Sequence, residues 1–282
     1  MPKPIYLDYN ATTPHDPEVI VAMRPFLEEE FGNPSSGHWY GSKPRQAVWE
    51  ARRQTATALD CRRQEIIFTS GGTESNNHAI IGVAYACRDK GNHIVTSQIE
   101  HPAILAVCAH LEQNGFEVTY LAVDEHGLVN PADVAAAISP QTILITIMHA
   151  NNEVGTIQPL AEISALAKPH GILVHTDAAQ SLGKVPTTVD ALGVDLLSVA
   201  GHKISFQGCK ADRVLQKIGR QVAASAGAAC HSDTVEISHV LKAMQVPLDW
   251  AGGTLRLTTG RHTSAEDIDG AVQVIVEAVN RS

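Results

Sequence analysis

From residue 45 onward, short apolar runs alternate with helix-like stretches, and this rhythm constrains the fold more than any other feature. Arg45–Leu59 reads as an amphipathic helix, EIIFTS (65–70) as a strand, and GGTESNN opens a helix that runs to Arg88. HIVTSQI (93–99), Val118–Val123, Thr142–Met148, Ile172–Asp177 and Leu196–Ala200 read as further strands. Helices are predicted between them at Pro102–Gln113, Ala132–Ile138 and Leu160–Lys168. Brief apolar strands joined through helices imply right-handed crossovers and a mostly parallel sheet with helices on both faces. Ligands of such sheets sit beyond the carboxyl ends of the strands.

After Lys203 the texture changes. ISF (204–206) reads as a strand fragment and Ala211–Arg220 as a helix. VAASAGAAC (222–230) is a run of small residues suited to a loop around Cys230. Val235–Met244 reads as a helix, TLRLTTG (254–260) as a strand and Ala265–Val279 as a terminal helix. At ~150 residues per domain, 282 residues make about two. The predicted division is a large domain over 1–203 and a small α+β domain over 204–282. The arm 1–15 is expected to pack on the small domain.

Composition narrows the function. Hydrophobic residues at 44% and charged residues at 18% exclude disorder and coiled coil. The net charge of −9 argues against binding nucleic acid, and no apolar run approaches the ~20 residues of a membrane span. MPKPIYLDYN lacks the features of a secretory leader, so a cytoplasmic protein with reduced thiols is expected. Cys61, Cys87, Cys108 and Cys209 read as small hydrophobes. The fourteen histidines show no close metal-ligand spacing, so no metal site is expected.

The strand ends carry the chemistry. Ser70-Gly71-Gly72-Thr73-Glu74 lies between a strand and a helix, where N–H groups and the helix dipole favour a phosphate; a plain tight turn reads equally well. His101 follows a strand and can stack on a ring or carry protons, though a satisfied histidine is the plainer reading. Asn151-Asn152-Glu153 can donate to a ligand oxygen or simply form a turn. Asp177, just past an apolar strand, wants a cation such as a protonated ring nitrogen, or else caps a helix. Lys203 can be desolvated into a nucleophilic amine, or snorkel to the surface. Taken together, a phosphate cradle, a ring stacker, a carboxylate for a ring nitrogen and an imine-forming lysine are the parts for pyridoxal 5′-phosphate.

The stretches YLDYNATTP (6–14), FGNPSS (31–36), IIFTSGGTESNN (66–77), EHPAI (100–104) and IMHANNEVGTIQP (148–159) resemble the cysteine desulfurase and selenocysteine lyase family. So do HTDAAQSLGK (175–184), GHK (201–203), SAGAACHSD (225–233) and LRLTTGR (255–261). That resemblance implies an α/β fold of the fold-type I pyridoxal phosphate enzymes, related to class V aminotransferases. It implies Lys203 as the covalent anchor of the cofactor, Asp177 on the ring nitrogen and His101 stacked on the ring. Gly72, Thr73 and His202 would hold the phosphate, and Gln180 and Asn152 the ring oxygen. Arg256, with Asn33 and Asn152, would bind the substrate, and Cys230 would take its sulfur as a persulfide.

The implied activity is conversion of L-cysteine to L-alanine, with sulfur passed to an acceptor or iron–sulfur scaffold protein, in a homodimer. Selenocysteine lyase, acting on L-selenocysteine, and a catalytically inactive shortened homologue are the alternatives. Two departures stand out. Ala200 occupies a position where the family usually carries serine. Lys203 is followed at once by ISFQGCKADRVL, so roughly a hundred residues expected from length and motif order are absent.

Overall fold

The computed structural model describes residues 4–203, 222–223, 225–226, 228–230, 235–251 and 254–279. Strand β1 (Ile5–Tyr6) and helices α1 (Pro17–Glu28), α2 (Ser42–Leu59) and α3 (Gly72–Ala86) open the chain. There follow β2 (His93–Ser97), α4 (Pro102–Glu112), β3 (Glu117–Leu121), α5 (Pro131–Ala137) and β4 (Thr142–Thr146). Then come α6 (Leu160–Ala167), β5 (Leu173–Asp177), α7 (Val189–Leu192) and β6 (Leu196–Ser198). Five strands form one parallel sheet in the order β3-β2-β4-β5-β6.

The two faces of the sheet follow from the alternation of side chains along each strand. Ile94 and Leu144 point to one face and pack with Ile80, Ile104, Val107 and Leu111 of α3 and α4. Their neighbours Val95 and Ile145 point to the other, against Leu160, Ile163 and Ala167 of α6. Every carboxyl end therefore lies on one edge, and the chain direction across the sheet reverses between β2 and β4. That switch is where a doubly wound sheet opens a crevice.

Beyond Lys203 the described elements are β7 (Val222–Ala223), β8 (Ser225–Ala226), β9 (Ala228–Cys230), β10 (Val235–Ile237), α8 (His239–Ala243), α9 (Leu248–Ala251), β11 (Leu255–Arg256) and α10 (Ala265–Val279). They form two-stranded pairings: β9 with β10, β8 with β11, and β7 with β1 at the start of the chain. Asp8 also bridges to Thr258, and Leu7 is buried beside Ala271 of α10.

Three expectations are corrected. EIIFTS is not a strand: Arg63–Glu65 is a 3₁₀ turn, and among the described residues Ile66–Thr69 is paired with no strand, leaving Ile67 63% and Phe68 48% exposed. Residues 235–237 are a strand instead of the start of a helix, because they pair with 228–230 before Ser238 caps α8. The small-residue run 222–230 contributes three short strands instead of a loop. The predicted elements ISF and Ala211–Arg220, and Cys209, lie outside the described residues.

Glu100 staples the switch point. Its fully buried carboxylate accepts from the Ser97 hydroxyl at 2.6 Å, at the end of β2, and from the Met148 N–H at 3.0 Å, just past β4. Burial pushes its pKa up to about 8, against the lowering by those two bonds; the nearby Asp177 charge adds to the rise. The folded chain thus keeps a proton that the unfolded chain releases near 4.5. Native protein binds more protons across that window, so stability falls as pH rises from about 4.5 to 8. Glu100→Gln, which cannot ionise, will flatten this slope in denaturant titrations at pH 5 and 8, whereas an unchanged slope refutes the assignment. Glu100→Ala will lose roughly 1–3 kcal/mol by leaving Ser97 and Met148 unpaired. Ile145→Ala will cost roughly 2–5 kcal/mol, and Ile67→Ala about 0.5 kcal/mol or less.

Candidate active site

Strands β2, β5 and β6 each deliver a functional side chain at the open edge. His101 follows β2 and caps α4: its Nδ1 accepts from the Ala103 N–H at 3.1 Å, which leaves the proton on Nε2. Burial lowers its pKa, Asp177 opposes that, and Lys203 and His239 add to the lowering. The neutral, oriented imidazole is suited to stacking and to donating from Nε2.

Asp177 closes β5 and is 7% exposed. Its Oδ2 accepts from Asn76 Nδ2 of α3 at 2.8 Å, and its Oδ1 from the Ala179 N–H at 2.9 Å. Among the described residues no cation forms an ion pair with it. Behind it, His175 is fully buried, with Nδ1 on Thr146 and Nε2 on Ser198; burial drives its pKa down, against the pull of Asp177. These ring contacts fix β5 against its neighbours on both sides.

Lys203 ends a 3₁₀ turn, Gly201–Lys203, that follows β6, and is half-buried. Burial lowers its pKa, opposed by Asp177 and reinforced by Arg256. The amine is thereby brought toward the neutral, nucleophilic form. His202 is exposed on the same turn, and its carbonyl accepts from the Thr13 hydroxyl. The turn lies against the start of α3: a Cβ on Gly72 would meet that of Ala200 at 3.4 Å. No side chain caps α3, so the first N–H groups, from Gly72 and Thr73, are left for a ligand.

The N-terminal arm closes the other side. Asn10 Nδ2 donates to the Asn152 carbonyl at 2.9 Å, and Gln180 Nε2 donates to the Asn10 carbonyl at 3.1 Å. Lys184 donates to Gln180 Oε1 at 3.2 Å and Asn10 Oδ1 at 3.3 Å; burial, with the Lys203 charge, brings its pKa down to about 8. Arg256, from β11, reaches the same place, pairing with Asp8 at 3.1 Å and donating to the Asn152 carbonyl at 3.4 Å. Its Nε is buried and without a partner, an arrangement that suits an anionic ligand.

The structure brings His101, Asp177, Lys203, Gly72, Thr73, His202, Gln180, Asn152 and Arg256 to this edge. Asn151 takes the turn role instead: it is buried, donates to Ile99 and Met148, and accepts from the N–H groups of Glu153 and Val154. Asn33 stands in an exposed loop with Oδ1 on the Ser35 N–H and joins none of the hydrogen bonds above. Cys230 ends β9, opposite Val235; its side chain lies outside what the structure describes.

Sequence reasoning missed Asn76, Asn10, Lys184 and His239, whose Nε2 donates to the Glu100 carbonyl at 2.9 Å. Asn10, Asn76 and Lys184 sit inside recognisable stretches, which was the available signal; His239 carries none. A half-buried lysine, a buried carboxylate with no ion pair, an uncapped helix start and an orphaned guanidinium nitrogen together fit pyridoxal phosphate and an amino acid carboxylate.

The aminotransferase class-V family model matches residues 5–206. Cysteine desulfurase IscS of Dictyoglomus turgidum is 37% identical over 377 residues, covering 100% of this chain and 96% of that protein. A NifS-like protein of known structure superposes with a TM-score of 0.85 at 26% identity, covering 99% of this chain and 100% of the other. The structure of SspA in complex with cysteine gives 0.68 at 44% identity, over 70% of this chain and 57% of that one. Sequence match, strand order and strand-end chemistry coincide, and the chain therefore belongs to the aminotransferase class-V family as a pyridoxal 5′-phosphate-dependent enzyme of its cysteine desulfurase branch.

Proposed function

We propose that the chain removes sulfur from L-cysteine, releasing L-alanine and leaving a persulfide on Cys230. The observation that supports this best is the convergence of Lys203, Asp177, His101 and Arg256, each from a different strand end, on one edge. The relative solved with cysteine supports the substrate.

Bound pyridoxal phosphate supplies the electron sink that labilises the substrate. Lys203 anchors it and, as an amine of lowered pKa, takes up and returns the proton at the substrate Cα. Asp177 would pair with the ring nitrogen and His101 would stack on the ring, its Nε2–H free to donate because Nδ1 accepts from Ala103. The N–H groups of Gly72 and Thr73, with His202, would hold the phosphate, and Gln180 and Asn152 the ring oxygen. Arg256 forks onto the substrate carboxylate, with Asn33 entering from its loop. The Cys230 thiolate attacks the substrate sulfur. An S–S bond forms, the C–S bond breaks, and its electron pair stays on the substrate β-carbon, which takes a proton to become methyl.

The persulfide then passes to an acceptor, such as an iron–sulfur scaffold protein. A reducing compartment, the cytoplasm, suits this step and matches the unpaired thiols of Cys61, Cys87 and Cys108. Residues 1–203 and 204–282 act as large and small domains, the arm bridging them through β1 and Asp8.

The chain works as a homodimer. Helix α1 buries none of its residues, and Val21 and Leu27 are 68% and 75% exposed beside Phe31 and Trp39, both 74%. Apolar surface of this extent marks an interface.

Purified protein loaded with the cofactor will show a visible absorbance band that Lys203→Ala abolishes. Cys230→Ala will keep the band and lose alanine formation from cysteine by roughly a hundredfold or more. Unaltered cysteine turnover in that variant refutes the persulfide reading, and turnover of selenocysteine alone would place the chain with the lyases. Sedimentation at micromolar concentration will give twice the chain mass, and Leu27→Lys will shift it toward the monomer; a monomeric wild-type chain refutes the dimer.

A further inference from the structure

Strand β6 is the last strand of the five-stranded sheet. It pairs with β5 on one side and, among the described residues, with no strand on the other. Across from it runs Ile66–Thr69, the stretch whose apolar run reads as a strand and whose backbone starts extended, at φ −82° and ψ 123° for Ile66. Between the two lies a groove of about 770 Å³. Ile66, Ile67 and Thr69 line one wall and Leu196, Leu197 and Ser198 the other. These two edges face one another across a groove lined by both polar and apolar side chains, and among the described residues neither has a strand partner on that side.

The rim is acidic. Asp60, Glu65, Asp190 and Asp195 border it against a single arginine, Arg62, which is already paired with Glu65. The match to the family model ends at residue 206, just beyond β6, and the alignment with the Dictyoglomus turgidum enzyme spans 377 positions against the 282 residues here. That relative therefore carries residues that this chain lacks.

We propose that the groove binds an extended apolar peptide segment with basic flanks, supplied by another polypeptide, as a strand added to β6. The incoming backbone, at the usual spacing of about 4.8 Å, would satisfy the outer N–H and C=O groups of Leu196–Ser198. Its far edge would draw Ile66–Thr69 into the sheet and cover Ile67. The flanking cations would meet Asp60 and Asp190. β6 runs directly into the Gly201–Lys203 turn, so the added strand lies behind the anchor lysine without touching it. This inference stands apart from the proposed chemistry, because every readout below is a binding or exchange measurement.

The test uses the whole chain and a synthetic octapeptide of alternating valine and threonine flanked by lysines. Binding is read by fluorescence anisotropy and amide hydrogen exchange. The expected result is saturable binding, with exchange slowed about tenfold or more at Leu196–Ser198 and Ile66–Thr69 and unaltered in β3. Asp60→Asn combined with Asp190→Asn will weaken binding roughly fivefold at low salt, a difference that closes in 1 M salt. Asparagine tolerates the left-handed backbone of Asp60, φ 55°, so the variant keeps the fold.

Four results would overturn the proposal. A glutamate-flanked peptide could bind equally well. A peptide N-methylated at alternate amides could slow exchange as strongly as the parent. Slow exchange at both segments before any peptide is added would mean that the chain's own residues fill the groove. Protection that grows with protein concentration alone would mean that a second copy does.

Discussion

A carboxylate held in a nearly dry place, Asp177, organises this molecule. Both of its oxygens are occupied, one by Asn76 of α3 and one by the N–H that starts the turn after β5. These bonds lock a helix on one face of the sheet to the end of a central strand. They also fix a negative charge where solvent screens it poorly. Lys203, His101 and Glu100 all feel that charge, and they arrive from two other strand ends, those of β6 and β2. One buried group thus ties packing to the chemistry of the edge.

The sheet makes this possible because its strands are parallel. Parallel strands place every carboxyl end on the same side, so residues far apart in sequence become neighbours without any long loop. The reversal between β2 and β4 opens the crevice, and Glu100 holds its lips together from beneath. The arm adds a second kind of constraint. Through β1, Asp8 and Asn10 it is bound both to the later strands and to the Asn152 turn. Arg256 is therefore carried to the edge by an element that belongs to neither face of the sheet.

Particular elements show where reading the sequence succeeds. The strands at 93, 142 and 173 form within a residue or two of their predicted starts, because uninterrupted apolar runs between helices have only one way to be buried. α10 forms over 265–279 as its amphipathic pattern predicts. EIIFTS fails for a different reason. Its short run of Ile, Ile, Phe and Thr is typical of a strand, but a strand needs a partner, and among the described residues none is beside it. Residues 235–237 fail in reverse: a helix-compatible stretch was captured as a strand by 228–230. Asn151 and Asn152, adjacent and alike in the sequence, take opposite roles once one side chain is buried in a turn.

Residue types at strand ends, read in order, were enough to determine the layered fold and the class of cofactor, and to name the groups proposed to hold it. These properties are local: they depend on apolar period, on glycine before a helix and on which side chain follows each strand. Only the tertiary structure decided which neighbours those groups would have. The raised pKa of Glu100, the bond from Asn76 to Asp177 and the bond from Gln180 to Asn10 all depend on pairs distant in the chain. Burial and hydrogen bonding between such pairs arise from packing, and packing is not written in the spacing of any one segment.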